Sequence, residues 1–173
     1  NLIFTFAGDK NIISSLINSF SNLHDSNIVH TNEFISANEK PSIALRTGKN
    51  SSMALAINQV KSGLCDAVVS AGNTGALMAM SKLYLRPIEG ISRPAIAAYF
   101  PTIIGESCML DLGANIDCDA KNLVQFSFMG QAFASIIMGI KNPTVSLLNI
   151  GEEEQKGLDY IKEASLILST MKD

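Results

Sequence analysis

The chain has 173 residues, of which 47% are hydrophobic and 17% are charged. This composition excludes an intrinsically disordered protein and supplies enough apolar side chains for one sizeable core, so we expect residues 1–173 to form a single domain. The formal net charge is −3, and no stripe of Lys and Arg with interleaved aromatic residues occurs, which argues against nucleic-acid binding.

Hydrophobic periodicity and turn residues predict alternating strands and helices along the whole chain. In chain order we expect a strand at residues 2–7, a helix at 10–23 capped by Asp9, a strand at 28–30, a short helix at 41–46, a helix through residue 60 capped by Ser51 or Ser52, a strand at 67–70, a helix at 74–85, strands at 95–99 and 107–112, a helix at 120–138, a strand at 144–149 and a helix at 158–171.

This alternation predicts an α/β fold with a parallel sheet and right-handed crossover connections. Residues 32–49 are the least regular part and are expected to form a loop, a lid or an interface. No apolar run is long enough for a membrane-spanning helix, and no basic-then-apolar leader is present.

The most informative motif lies between the predicted strand at 67–70 and the helix that follows it. Ser70, Asn73 and Thr74 offer hydroxyl and amide donors there, while Gly72 and Gly75 allow close approach of a ligand to the backbone. Free N–H groups and the positive end of the helix dipole favour an anion such as phosphate. The alternative is a plain strand-to-helix turn capped by Asn or Thr.

Other polar turns follow the same pattern. One such turn is Lys49, Asn50 and Ser51, which precedes a helix. These residues are expected either to bind an anion or simply to cap the helix. Strand ends precede two more turns, Asp111-Leu112-Gly113-Ala114-Asn115-Ile116-Asp117-Cys118 and Leu147-Leu148-Asn149-Ile150-Gly151-Glu152-Glu153-Glu154-Gln155-Lys156-Gly157. We expect three strand ends to converge on one sheet edge, where open α/β sheets bind ligands.

In order and spacing these motifs resemble the phosphate acyltransferase of bacterial phospholipid synthesis, the PlsX family. The resemblance covers nearly the whole chain and includes Arg86-Pro87-Ile88-Glu89-Gly90-Ile91-Ser92-Arg93-Pro94-Ala95 and Phe128-Met129-Gly130. Chains of this family are longer, begin with a strand and an Asp-Ala-Met-Gly-Gly-Asp turn, and bring a later Gly-Phe-x-Gly-Asn segment to the site. We therefore expect this chain to be an internal fragment, truncated at both ends and inactive by itself.

The resemblance implies a Rossmann-like parallel-sheet sandwich of the isopropylmalate-dehydrogenase-like type, which phosphate acetyl- and butyryltransferases share. It also implies transfer of a fatty acyl group from acyl-acyl carrier protein to inorganic phosphate, giving acyl-phosphate without a cofactor, a metal or a covalent enzyme intermediate. The alternatives are a coenzyme-A-dependent phosphate acyltransferase of the same fold and a non-catalytic binding or scaffold relative.

The resemblance assigns catalytic roles to Lys156 and Asn73. The remaining candidates are expected to bind phosphate or substrate: Ser70, Gly72, Thr74, Gly75, Asn115, Asp117, Lys49, Asn50 and Ser51. From spacing alone, Lys156 also reads as a solvated lysine that neutralises Glu152 to Glu154, and Asp117 as an ordinary turn residue. Asp111 is expected to satisfy loop N–H groups. The family continues Lys-Gly-Asn-Glu, whereas Leu158 and Asp159 follow here, which puts a polar contact after Gly157 in doubt.

The implied partners are acyl carrier protein, inorganic phosphate, a second copy in the full-length homodimer and a membrane-bound glycerol-3-phosphate acyltransferase. The expected location is the cytoplasm, with peripheral contact at the inner face of the bacterial membrane left open. Three dispersed cysteines, Cys65, Cys108 and Cys118, agree with a reducing compartment and predict neither a disulfide framework nor a metal site. No base accompanies Cys118, so it is not expected to be a nucleophile.

Overall fold

The computed structural model describes residues 2–103, 105–151, 153 and 156–171. It divides into two compact units, Asn1–Arg86 and Pro87–Asp173. The expectation that the whole chain is one domain stays a prediction, and each unit is described by itself.

The first unit is mixed α/β with a small parallel sheet. Strand β1 (Thr5–Gly8) pairs in parallel with β2 (Asn27–His30), with Thr5 opposite Asn27 and Gly8 opposite His30. The connection between these strands contains α1 (Lys10–Ile17), which is capped by Asp9, and a short 3₁₀ turn at Ser21–Leu23. Three helices complete the unit: α2 (Pro41–Thr47), α3 (Ser52–Lys61) and α4 (Thr74–Leu85).

The first helix ends earlier than the predicted residue 23. Asn18 and Ser19 favour local hydrogen bonds over a continued helix, and the N–H groups of Ser19 and Phe20 donate to carbonyls only three residues back. Phe20 then takes an extended conformation with φ −128°. The apolar pattern that extended the prediction continues through this break.

The core of the first unit lies where α2, α3 and α4 meet. Its buried members are three alanines, which allow close helix packing, and two methionines and an isoleucine, which fill the irregular space left between the helices. They are Ala44, Met53, Ala54, Ile57, Ala76 and Met80.

The second unit combines a β-hairpin with two helices. Strand β3 (Ala97–Thr102) pairs with β4 (Gly105–Leu110), and these strands run antiparallel with Ala97 opposite Leu110. Helix α5 (Ala120–Ile136) begins with a capping box between Asp119 and Asn122, and α6 (Asp159–Thr170) packs against it. Their shared core is formed by Ala120, Val124 and Ala164, with Leu123, Leu147, Ile167 and Leu168 around it.

Three predictions about strands are wrong for the described residues. The expectation of parallel strands fails for β3 and β4, because only two residues connect them and so short a connection joins only antiparallel strands. No strand forms at residues 67–70 or 144–149. Both sequences are apolar enough for a strand, but the described backbone supplies neither with a hydrogen-bonded partner.

The helix predictions at 41–46, 74–85, 120–138 and 158–171 are confirmed to within two residues at each end. Within the described part of the chain, none of these helices is both long and apolar enough to cross a bilayer.

Candidate functional site

The turn before α4 is held by the side chain of Asn73. Its Oδ1 accepts a hydrogen bond from the Ala76 N–H at 2.9 Å, which makes Asn73 the N-cap. Its Nδ2 donates to the carbonyl oxygens of Ser36, Ala37 and Glu39 at 3.2, 2.9 and 2.8 Å. The amide of Asn73 therefore fastens the loop at residues 36–39 to the start of α4, and both of its polar atoms are occupied by protein groups.

The backbone of this turn keeps donors available. Among the described residues, nothing accepts from the N–H groups of Thr74 and Gly75, which lie in the first turn of α4, where the helix dipole favours negative charge. The Ser70 hydroxyl oxygen accepts from the Gly72 N–H at 3.2 Å and shapes the approach to the helix. This arrangement suits an anion held by main-chain rather than side-chain donors.

Gly75 is also required by packing. A Cβ atom at this position would lie 2.8 Å from Cγ of Pro41, the first residue of α2. A Cβ at Gly72 would lie 3.1 Å from Cε of Met53. The side chains of Pro41 and Met53 thus occupy the space that a Cβ atom would take at the two glycines.

The Lys49 turn divides into one structural and two exposed residues. Ser51 is 1% exposed, and its hydroxyl donates to the Gly48 carbonyl at 2.6 Å and accepts from the Ala54 N–H at 3.3 Å. It is the N-cap of α3, as the capping pattern predicted. Lys49 and Asn50 are exposed, so of the three residues only these two present side chains to solvent.

The turn after β4 is organised around Asp111. Its carboxylate accepts from the N–H groups of Ile96 and Asn115 at 2.7 and 2.8 Å, and also from the Asn115 amide at 3.1 Å. The Asn115 amide donates in addition to the Pro94 carbonyl at 2.9 Å. These bonds confirm that Asp111 satisfies loop N–H groups, and they commit the donor atom of Asn115 to the protein.

Arg93 is a residue to which the sequence assigned no role. Its Nη1 donates to the Asp117 carbonyl at 3.0 Å, while its Nε is buried without a hydrogen-bond partner within the described structure. Arg93 therefore braces the turn that carries Asp117, whose side chain is exposed.

The segment before Arg93 is fastened to α5 by two buried amides. The Gln125 side chain accepts from the backbone N–H and the hydroxyl of Ser92 and donates to the Gly90 carbonyl at 2.6 Å, while the Asn122 amide donates to the Ser92 hydroxyl at 3.0 Å. The available signal was a pair of amides three residues apart in the first half of α5.

Cys118 lacks the properties of a catalytic thiolate. Burial raises the pKa of its thiol, and this effect outweighs the opposing influence of Arg93. The carboxylates of Asp111, Asp119 and Asp117 raise the pKa further. The thiol is therefore protonated at neutral pH, in agreement with the sequence prediction that it is not a nucleophile.

Lys156 presents a positive charge on a half-exposed side chain. Its Nζ lies 3.0 Å from Oε1 of Glu153, and the Lys156 side chain is 52% exposed. The ion pair agrees with the alternative reading of a lysine that neutralises the acidic run; Glu152 and Glu154 lie outside the described residues. An ion pair this exposed contributes little and is easily exchanged for another anion.

The Lys156 turn depends on Asn149, which the sequence analysis did not single out. Its Nδ2 donates to the Lys156 carbonyl at 3.1 Å, and its Oδ1 accepts from the Ile150 N–H at 2.9 Å. Gly157 has φ +95°, and a Cβ atom there would overlap the Asn149 amide. Asn149 and Gly157 together thus set the path of the chain directly after the lysine.

The candidate residues are divided between the two units. Lys49 to Ser51 and Ser70 to Gly75 belong to the first, whereas Asn115, Asp117 and Lys156 belong to the second. The expectation that three of these turns share one sheet edge stays a prediction.

Comparison with known proteins decides the family. Residues 1–173 match the model of the family described as fatty acid synthesis protein. The chain belongs to this family. The resemblance to the PlsX phosphate acyltransferases stated above is confirmed by two curated relatives with that name.

The two relatives align along nearly all of the chain. A phosphate acyltransferase of Rhodospirillum centenum is 53% identical over 169 residues, which cover 97% of this chain and 48% of the relative. A phosphate acyltransferase of Paramagnetospirillum magneticum is 49% identical over 162 residues, covering 93% of this chain and 46% of the relative. The chain thus spans about half the length of the curated relatives it matches.

Proposed function

We propose that the full-length protein transfers a fatty acyl group from acyl-acyl carrier protein to inorganic phosphate, which makes it an acyltransferase of phospholipid synthesis. The observation that carries this proposal is 53% identity to a protein named phosphate acyltransferase across 97% of the chain. The family description, fatty acid synthesis protein, supports the acyl nature of the substrate.

The turn at Ser70–Gly75 is proposed to hold phosphate through its backbone. The N–H groups of Thr74 and Gly75 supply donors at the positive end of α4, and the Asn73 side chain fixes their direction through its four hydrogen bonds. In this role Asn73 acts through the turn it builds, because its own amide is occupied.

Lys156 is proposed to act through its charge. A phosphate oxygen attacks the thioester carbonyl carbon, the tetrahedral intermediate carries an oxyanion, and its collapse breaks the carbon–sulfur bond and releases the carrier thiolate. A lysine at the reacting centre stabilises the charge that develops on oxygen. Its ion pair with Glu153 is exposed and therefore weak, so the lysine readily exchanges that carboxylate for the charge on the substrate.

The reaction needs no nucleophile from the protein. Direct attack by phosphate gives acyl-phosphate in one displacement, and the protonated thiol of Cys118 is unsuited to forming a thioester intermediate. Catalysis then depends on positioning the two substrates and on electrostatic stabilisation.

The finer architecture and the partners are proposed on the same basis. We infer a Rossmann-like sandwich of the isopropylmalate-dehydrogenase type, for which the parallel pairing of β1 with β2 gives partial support. A homodimer, a membrane-bound glycerol-3-phosphate acyltransferase partner and a cytoplasmic location at the inner membrane surface follow only from the family resemblance.

The test is carrier dependence in the full-length protein. Purified protein is incubated with phosphate and either acyl-acyl carrier protein or acyl-coenzyme A, and acyl-phosphate is trapped with hydroxylamine. We expect product from the carrier protein and little from coenzyme A. Equal or greater use of acyl-coenzyme A identifies the coenzyme-A-dependent enzyme, and no product from either donor identifies a binding or scaffold protein.

A further inference from the structure

Gly151 lies five residues before Lys156, and its backbone does not require a glycine. Gly157, on the other side of the lysine, has a left-handed φ of +95°, whereas Gly151 has no φ in that region. A residue with a side chain is therefore compatible with the main-chain conformation at position 151. The reason for a glycine here lies in the space beside its Cα atom.

That space is filled by the ion pair of the Lys156 turn. A Cβ atom on Gly151 would lie 2.6 Å from Cδ of Lys156 and 3.4 Å from its Nζ, and it would lie 2.8 Å from Oε2 of Glu153. Carbon atoms in contact are normally about 3.5–4.0 Å apart. The lysine stem and its carboxylate partner thus both lie directly against the glycine.

The main chain of Lys156 is held independently of its side chain. Its carbonyl accepts from the Asn149 amide at 3.1 Å, and its N–H donates to the Glu153 carbonyl at 2.9 Å. The root of the lysine side chain is therefore fixed, and the direction of the ammonium depends on the χ angles of a flexible four-carbon stem. Gly151 leaves open the path across the turn that this stem follows.

We propose that Gly151 is a positioning residue for Lys156. Because it has no side chain, the lysine stem lies across the turn and presents its ammonium from one direction. This inference rests on the proposed role of Lys156 in acyl transfer. Gly151 acts only through the lysine: a methyl group at position 151 pushes the stem aside and moves the charge, and a displacement of about 1 Å can cost on the order of 100-fold in rate.

The substitution Gly151→Ala in the full-length protein separates this role from a structural one. The new methyl group meets only side-chain atoms of Lys156 and Glu153, which are able to move, so the melting temperature should stay that of the wild type. The kcat for phosphate-dependent release of carrier protein should fall by about 10- to 100-fold, while the KM for the acyl donor stays unchanged.

Gly130→Ala is the matched control. Gly130 lies in α5 of the same unit, it also has no left-handed φ, and no described atom lies within 4 Å of a Cβ atom placed there. This variant should keep the turnover of the wild type. An equal fall in kcat for both variants would overturn the proposal, because the loss would then not depend on the contact with the lysine.

A double-mutant cycle shows whether Gly151 acts through the lysine. Once Lys156→Met has removed the charge, Gly151→Ala no longer displaces a catalytic group. The double variant should therefore turn over at the rate of Lys156→Met alone. If Gly151→Ala lowers turnover by the same factor in both backgrounds, the two residues act independently and the proposal is wrong.

Proton NMR of the full-length protein measures the contact without any activity. Protonated Gly and Lys are incorporated into otherwise deuterated protein, and we expect a nuclear Overhauser cross-peak between the α-protons of Gly151 and the δ-methylene protons of Lys156, identified by its loss in Lys156→Met. Protein that shows this cross-peak but transfers no acyl group contradicts the proposed function, and with it the role of Gly151. Protein that transfers acyl groups but lacks the cross-peak, or whose turnover is unchanged by Gly151→Ala, contradicts the positioning role alone.

Discussion

The Ser70–Gly75 turn and the Lys156 turn use their key side chains in opposite ways. The Asn73 amide is occupied by four protein partners, which leaves main-chain N–H groups as the free donors. The Lys156 side chain is half exposed, and its ammonium forms a surface ion pair with Glu153. Two residues that were both expected to be catalytic therefore differ in kind: the Asn73 amide holds its turn together, whereas the charged group of Lys156 is half exposed to solvent.

The largest expected effect is on catalysis at Lys156. In the full-length enzyme, Lys156→Met should reduce phosphate-dependent release of carrier protein by about 100- to 1000-fold, because a donor to the developing oxyanion is lost. Lys156→Arg should recover only part, since a planar guanidinium cannot place its charge as the ammonium does. Melting temperatures of both variants should match the wild type.

A matched control is available for the lysine. Lys162 also forms an exposed ion pair with a carboxylate three residues earlier, Asp159, in the same unit. Lys162→Met should leave turnover unchanged. An equal loss of turnover in both variants would show that the effect comes from surface charge in general. Near-normal turnover by Lys156→Met would show that Lys156 is an ordinary solvated lysine.

The next effect is on stability at Asn73. Asn73→Ala removes the cap of α4 and the bonds to residues 36–39, and should lower the free energy of unfolding by about 2 kcal/mol. The control is Asn11→Ala, which removes an exposed amide without a hydrogen bond in the described structure. Urea unfolding of both full-length variants measures the difference. An Asn73→Ala protein as stable as the control contradicts the scaffolding role.

These two turns also show what a sequence can reveal. Helix α4 and its cap were predictable, because Asn73 follows an apolar run and starts a helical pattern. The occupation of its amide was not predictable, since the accepting carbonyls lie more than 30 residues earlier in an irregular loop. Asn149 was missed for a related reason, because its side-chain amide donates to the backbone carbonyl of Lys156, seven residues later in the chain.

The missing strands at 67–70 and 144–149 show a further difference. Side-chain pattern predicts that a segment is able to form a strand, but a strand exists only when another backbone supplies its hydrogen bonds. Helices satisfy their bonds internally, which is why the predictions for α4, α5 and α6 agree closely with the structure.

A smaller effect is expected from two glycines within helices. Gly75→Ala should destabilise the protein by about 1 kcal/mol, because overpacking against Pro41 outweighs the gain in helix propensity. Gly130→Ala in α5 meets no described atom within 4 Å and should stabilise by about 0.5 kcal/mol. Thermal melts of the two variants should therefore shift in opposite directions, and a stabilising Gly75→Ala contradicts the close packing of α4 on α2.

The smallest effect concerns Cys118. Burial raises the pKa of its thiol in the folded state, so the stability linked to its protonation is present below the ordinary thiol pKa and is lost as the pH rises through the raised value. The rate of alkylation by iodoacetamide should reach its midpoint at a higher pH than for a free thiol. Cys118→Ser should retain full turnover. A midpoint below that of a free thiol contradicts the assignment of Cys118 as a non-nucleophile.

The most direct test of the account measures turnover per folded molecule and melting temperature together for Lys156→Met and Asn73→Ala in the full-length enzyme. We predict that Lys156→Met melts like the wild type but loses at least 100-fold in turnover, in line with the loss of one oxyanion donor. Asn73→Ala should melt at a lower temperature yet, assayed well below its transition, keep turnover within about tenfold of the wild type, a change of 1.4 kcal/mol or less. The reverse pattern would contradict the division of roles between the two turns. In that pattern Lys156→Met keeps normal turnover, whereas Asn73→Ala melts like the wild type but no longer uses phosphate.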